Sequence, residues 1–225
     1  MASDQRAYGY NGTCDTVCVQ ENTISGNYHL VNLSMLILNY VVQNGITLTG
    51  TINNKRKISV APGASITLQD VSINADGADS DKSAWAGLTC LSDATITLVG
   101  ENVVKGCYDG FPDIQAGDAT NTTLTIGGTG SLTATGGTYA AGIGSRENYT
   151  CGNISISGGT IEATGGVDAA GIGSGRSAKC GNITIRGDAS GTAKGGEGSQ
   201  YDIGPGLDGT CGTVTVEPNT ISGRY

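Results

Sequence analysis

Along most of this chain apolar and polar residues alternate one for one in runs of four or five, and most runs stop at glycine, asparagine or aspartate. Such runs occupy residues 45–49, 57–60, 65–68, 71–74, 95–99, 122–126, 131–135, 153–156, 160–164, 182–185 and 213–216. A two-residue period is that of a strand with one buried face, and Gly, Asn and Asp supply the turns between strands. The longest apolar run, residues 30–42, is broken by Asn32, Ser34 and Asn39 and is too short for a membrane span. It predicts two adjoining buried strands, with a hydrophobic plug at the start of the stack as the functional variant.

The second half repeats one phrase. Residues 139–158 read YAAGIGSRENYTCGNISISG, 168–187 read DAAGIGSGRSAKCGNITIRG, and 201–216 read YDIGPGLDGTCGTVTV. Cys151, Cys180 and Cys211 thus recur 29 and 31 residues apart, each followed by Gly and a short alternating strand. A fixed period of this size marks one structural unit stacked on itself. Alternation puts Ile154 and Ile156 on one face, with Ile183 and Ile185, then Val214 and Val216, matching them at a rung spacing of about 4.8 Å. Ile143, Ile172 and Ile203 form a second ladder, with Leu88 and Ile114 as looser early members. The pattern predicts an all-β chain, a right-handed single-chain parallel β-helix of roughly six to seven coils. It forms one domain over 1–225, with less regular coils at 1–64, regular coils at 65–216, and a closing segment, 217–225, that repeats 20–28. An antiparallel sandwich or barrel has similar strand spacing. Its neighbouring strands, however, do not present equivalent residues in register.

Composition narrows the picture. With 38 Gly in 225 residues, 5% aromatic and 14% charged, the chain is neither a typical helical domain nor a charged disordered tail. Collagen needs Gly at every third residue, and that period is absent. The net charge of −8 excludes nucleic acid as a partner, since binding a phosphate backbone needs clustered cations. No apolar stretch follows Met1, which reads as an added start on a mature or excised segment.

The phrases AAGIGS (140–145 and 169–174), CGNISISGGT (151–160) and EATGG (162–166) resemble the glycine-rich repeats of large surface and secreted proteins of gut anaerobic bacteria. They are similar to adhesin-like proteins and to the β-helical carbohydrate-binding-domain group, over residues 65–216. That resemblance implies an extracellular or cell-surface β-helix, often with calcium, and a glycan or host-surface receptor as partner. No residue-level binding motif carries over.

Candidate chemistry collects in the corner loops. Asp76, Asp79 and Asp81 concentrate three carboxylates in a glycine-bearing loop suited to a hard, oxygen-ligated cation such as calcium, although solvated turn acids give the same composition. Trp85, Tyr108, Phe111, Tyr139 and Tyr149 lie in or beside corners, near Arg146, and such rings stack on sugars or simply cover coil edges. A glycosidase would need two carboxylates across a cleft. Asp76, Asp79, Asp81, Asp109, Asp113 and Asp118 are available, yet Asp is a preferred corner residue. A lyase would want a base beside calcium, and Arg146, Arg176 and Lys179 occupy equivalent corner loops. The expectation is a non-catalytic adhesive or structural module that contacts glycans, with a polysaccharide-active enzyme or phage-type receptor-binding protein as the more distant alternative.

Two further features concern assembly. Residues 14–28 (CDTVCVQENTISGNY) and 211–225 (CGTVTVEPNTISGRY) are identical at ten of fifteen positions. This is expected of a segment cut from a tandem array, or of subunits that stack end to end into an extracellular filament. The seven cysteines fit disulfides between stacked turns or a buried thiol ladder, and the ladder is the favoured reading.

Overall fold

The computed structural model describes residues 18–20, 23–25, 30–36, 39–53, 57–75, 85–106 and 110–225. It is a parallel β-solenoid whose described residues hold one short 3-10 turn, Leu33–Met35, and otherwise strands and corners. Three columns of paired strands run along it. The first holds Thr23–Ser25, Tyr40–Val42, Ile58–Val60, Leu88–Cys90, Ile114–Gln115, Ile143–Gly144, Ile172–Gly173 and Ile203–Gly204, all parallel to their neighbours. The second runs from Leu30–Asn32 through the first parts of Thr47–Ile52 and Ala64–Asn74 into Ala94–Val99, Thr123–Gly128, Asn153–Ile156, Ile183–Ile185 and Val214–Val216. The third starts from the later parts of the same two long strands and continues as Glu101–Lys105, Ser131–Thr135, Thr160–Thr164 and Ser190–Lys194. At the front of the first column one pair is antiparallel, Cys18–Gln20 with Thr23–Ser25.

A full turn visits the three columns in that order. About five turns make up the solenoid, and its first column is most regular over Leu88, Ile114, Ile143, Ile172 and Ile203. This is slightly fewer than the six to seven coils read from the repeats. The difference lies at the front, where Tyr40 pairs with Ile58, so that the turn between them is much shorter than the later ones, and where the strands Thr47–Ile52 and Ala64–Asn74 each serve two columns at once. Residues 30–42 form two strands in different columns, Leu30–Asn32 in the second and Tyr40–Val42 in the first; Tyr40–Val42 is buried as expected, whereas Leu30–Asn32 buries only Val31 and leaves Leu30 and Asn32 exposed.

The ladders read from the sequence are present. Ile154 pairs with Ile183 and Ile183 with Val214, while Leu88, Ile114, Ile143, Ile172 and Ile203 stand in a continuous row. All five of that row are 0% exposed. Each buried side chain of this size contributes about 1.5–3 kcal/mol relative to leaving it in water, provided a neighbouring turn covers it. Side chains also bond from turn to turn. Asn153 Oδ1 accepts from the Asn182 amide and Asn182 Oδ1 from the Thr213 amide, each at 2.8 Å. The buried hydroxyls of Ser145 and Ser174 accept from the amides of Gly175 (3.2 Å) and Gly206 (3.0 Å), which explains the serine closing each AAGIGS phrase. A buried amide left without such an acceptor costs about 1–3 kcal/mol.

The cysteine column settles on a mixed state. Cys180 and Cys211 form a disulfide across one turn, with Cα atoms 4.5 Å apart, which corrects the favoured reading of a thiol ladder. Cys151, one turn earlier, is a free buried thiol that donates to the Gly173 carbonyl at 3.8 Å. Burial pushes its thiol up to about 12, against a smaller opposing hydrogen bond from Ser145. Cys90 is likewise buried, free and pushed up to about 12 by burial. Neither is a nucleophile in this state, because the thiolate is the reactive form.

Candidate functional site: an aromatic and arginine corner

The corners that lead into and out of the first column carry the aromatic residues. The chain turns there through positive-φ residues, Tyr139 (62°) and Asp168 (60°) ahead of the first column and Asn148 (60°), Ser177 (51°) and Asp208 (55°) after it. Asn and Asp enter this region at little cost, whereas a bulky residue such as Tyr139 does so under strain of about 1–2 kcal/mol. Side chains thrown outward by these turns meet across adjacent rungs.

Arg176 reaches one turn back and lies 3.5 Å from the centre of the Tyr139 ring. Its Nε donates to Glu147 Oε1 at 2.8 Å, a terminal nitrogen donates to the same oxygen, and Asp168 lies 3.8 Å away. Arg146 makes the matching reach to Phe111, 5.0 Å from the ring centre, and stacks on Tyr149 of its own loop at 3.3 Å. Tyr149 is 50% exposed. The Nε of Arg146 is shielded from solvent and has no hydrogen-bond partner among the described residues. The indole N–H of half-buried Trp85, at the corner before Leu88–Cys90, is in the same condition.

Of the residues expected to bind ligand, the structure therefore brings Arg146 and Tyr149 into contact and places Tyr139 beside them under Arg176. Trp85 stands two rungs away, ahead of Leu88 as Phe111 is ahead of Ile114. Tyr108 and the acidic loop of Asp76, Asp79 and Asp81 lie outside the described residues. Among the described residues no group of three or more His, Cys, Asp or Glu side chains is arranged to hold a metal. The ion pair between Glu147 and Arg176 escaped sequence reading. Its signal was available, since aligning Ile143 with Ile172 sets Glu147 directly beneath Arg176.

Two aspartates anchor corners, one of them Asp113, which the sequence offered as a carboxylate for glycoside cleavage. Asp113, 2% exposed, accepts the Gly106 amide on one oxygen and the Thr135 amide on the other. Asp202, its counterpart ahead of Ile203, accepts the amides of Gly195 and Arg224, both at 2.7 Å, and pairs with the Arg224 guanidinium. Burial works against its ionisation, yet the Arg224 side chain and the two amides outweigh it and hold the carboxyl at about 2. A shallow depression of about 360 Å³ lies elsewhere, between Gly128, Thr129, residues 157–160, Asp188 and Ser190 at the corner of the second and third columns. It contains no aromatic ring.

No helix among the described residues is long and apolar enough to cross a membrane. No protein family, curated protein or solved structure matches the chain. The architecture itself defines the class to which function must be fitted, a disulfide-bearing parallel β-solenoid with a stacked aromatic and arginine edge.

Proposed function

We propose that this chain is a non-catalytic, right-handed β-helical module of the extracellular space or cell surface, with an adhesive or structural role, that contacts glycans along its aromatic corner. Right-handed winding is what the twist of parallel strands favours in crossovers of this kind. The observation that carries the glycan reading is the half-exposed ring of Tyr149 packed with Arg146 and Phe111, beside the parallel stack of Tyr139 and Arg176. Ring faces and forked donors at an exposed edge are the groups that meet the apolar faces and hydroxyls of sugars. The disulfide between Cys180 and Cys211 suits an oxidising, exported setting. Calcium remains part of the proposal through Asp76, Asp79 and Asp81. The test is a glycan array probed with and without calcium, using wild type and Tyr149→Ala. Binding that Tyr149→Ala weakens at least tenfold is expected, and the absence of binding to any glycan overturns the reading.

End-to-end stacking is a second reading, favoured by one observation. The five positions at which residues 211–225 differ from residues 14–28 are Gly212, Thr215, Glu217, Pro218 and Arg224, all exposed, whereas Val214, Val216 and Ile221, which pack against the core, are shared. The duplicated segment has thus kept the positions that stack. Electron microscopy of concentrated protein should reveal fibres, and discrete particles at high concentration would remove this reading.

A further inference from the structure

We infer that Arg146 selects anionic ligands: a sugar bearing a carboxylate or a sulfate docks at this corner in preference to a neutral one. The inference rests on the glycan reading above and assigns the ligand's charge.

The argument compares two arginines in adjacent turns. Arg176 has a ring beneath it and two carboxylates around it, Glu147 and Asp168, so its charge and its donors are satisfied within the fold. Arg146 has rings alone. Neither Asp nor Glu pairs with it among the described residues, and Glu147, its neighbour in sequence, is turned toward Arg176. A ring attracts a cation through its quadrupole but offers no lone pair to the guanidinium fork. Arg146 is therefore a fixed cation with unfilled donors, one of them shielded from solvent.

Three consequences follow for a ligand. Carboxylate and sulfate each present two oxygens at the spacing of the fork, so a bidentate contact is available to them and not to a hydroxyl. The stack on Tyr149 and Phe111 already restricts the long side chain, so little further rotamer freedom is lost on binding. The Tyr149 ring lies under the guanidinium, and the half of it left exposed offers apolar contact to the sugar. The molecule as a whole carries a net charge of −8. An anion gains nothing from the overall field, so selection must come from this local cation and weaken as salt screens it.

The test titrates wild-type protein, followed by NMR or calorimetry at low salt and at 0.5 M salt, with three matched oligosaccharides: neutral glucose, glucuronate, and O-sulfated glucose. Free inorganic sulfate is the fourth ligand. At low salt both charged oligomers should bind at least tenfold tighter than the neutral one and tighter than free sulfate, with the difference shrinking at high salt. Arg146→Gln should bring charged and neutral oligomers to equal affinity, Arg146→Lys should retain part of the preference, and Arg186→Gln, an exposed cation remote from this corner, should change nothing. Circular dichroism and an unchanged unfolding midpoint show that each variant is folded, and Arg146→Lys decides the matter should Arg146→Gln fail to fold. A charge preference that survives in both Arg146 variants, or free sulfate binding as tightly as the sulfated oligomer, overturns the inference while leaving glycan binding intact. Failure of every oligomer to bind overturns the glycan reading itself.

Discussion

Three glycines, Gly144, Gly173 and Gly204, occupy the same place in successive turns with φ of 141°, 137° and 138°. They differ in what lies above them. A Cβ on Gly173 would stand 2.0 Å from the Gly204 carbonyl oxygen, whereas a Cβ on Gly204 would meet nothing nearer than the Tyr201 side chain at 3.6 Å. Alanine at either position bears the same backbone cost, about 1–3 kcal/mol for a conformation nearly reserved for glycine. Gly173→Ala adds overpacking against backbone that cannot swing aside, about 1–3 kcal/mol more. Subtracting one variant from the other cancels the backbone part and leaves the contact between turns. Urea unfolding followed by circular dichroism should therefore place Gly173→Ala below Gly204→Ala by about 1–3 kcal/mol, the overpacking contribution alone. Equal midpoints, or a greater loss in Gly204→Ala, would refute the stacking geometry from which the difference is worked.

Three further outcomes are expected. Reducing the bond between Cys180 and Cys211, which are 31 residues apart, should lower stability by about 3.5 kcal/mol on the loop-entropy account. With that disulfide left intact, Cys90 and Cys151 should resist alkylation at pH 8 until the protein unfolds, and peptide mapping that finds Cys151 modified in the folded state would contradict its burial. The carboxyl of Asp202 lies near 2 in the fold, below its ordinary 3.8, so its contribution is fully present above about pH 4 and fades as pH falls toward 2. Amide exchange at Gly195 and Arg224, the two amides that Asp202 accepts, should accelerate over that window in wild type. An Asp202→Asn variant should show no such acceleration, and identical profiles for the two would refute the assignment.

What the sequence made legible follows from repetition. Ile154, Ile183 and Val214 could be stacked on paper because equivalent apolar residues recur at a nearly constant period, and a parallel register is the arrangement that superimposes them. The strands of the first column were harder to see. Ile143–Gly144, Ile172–Gly173 and Ile203–Gly204 span two residues each, too few to show a period of two, and so they read as corners with a matching isoleucine. Residues 65–68 and 71–74 read as two strands, whereas the chain runs through both as Ala64–Asn74, bending at Asp70 where φ is 51°. Asparagine and aspartate tolerate such a bend, and they are also the residues that signal a turn.

Apolar periodicity, glycine placement and the recurring cysteines determined the solenoid, its inward faces and the columns in which like residues meet. They did so because burial of each turn depends on the next and leaves a regular trace in the chain. The tertiary structure alone decided which two of three stacked cysteines join, that the turn from Tyr40 to Ile58 is short, and how charge is shared at the corner. Those outcomes depend on ångström-scale approaches between side chains one turn apart. Glu147 faces Arg176 while Arg146 is left with two rings, a difference set by one rung of stacking that no single turn of sequence contains.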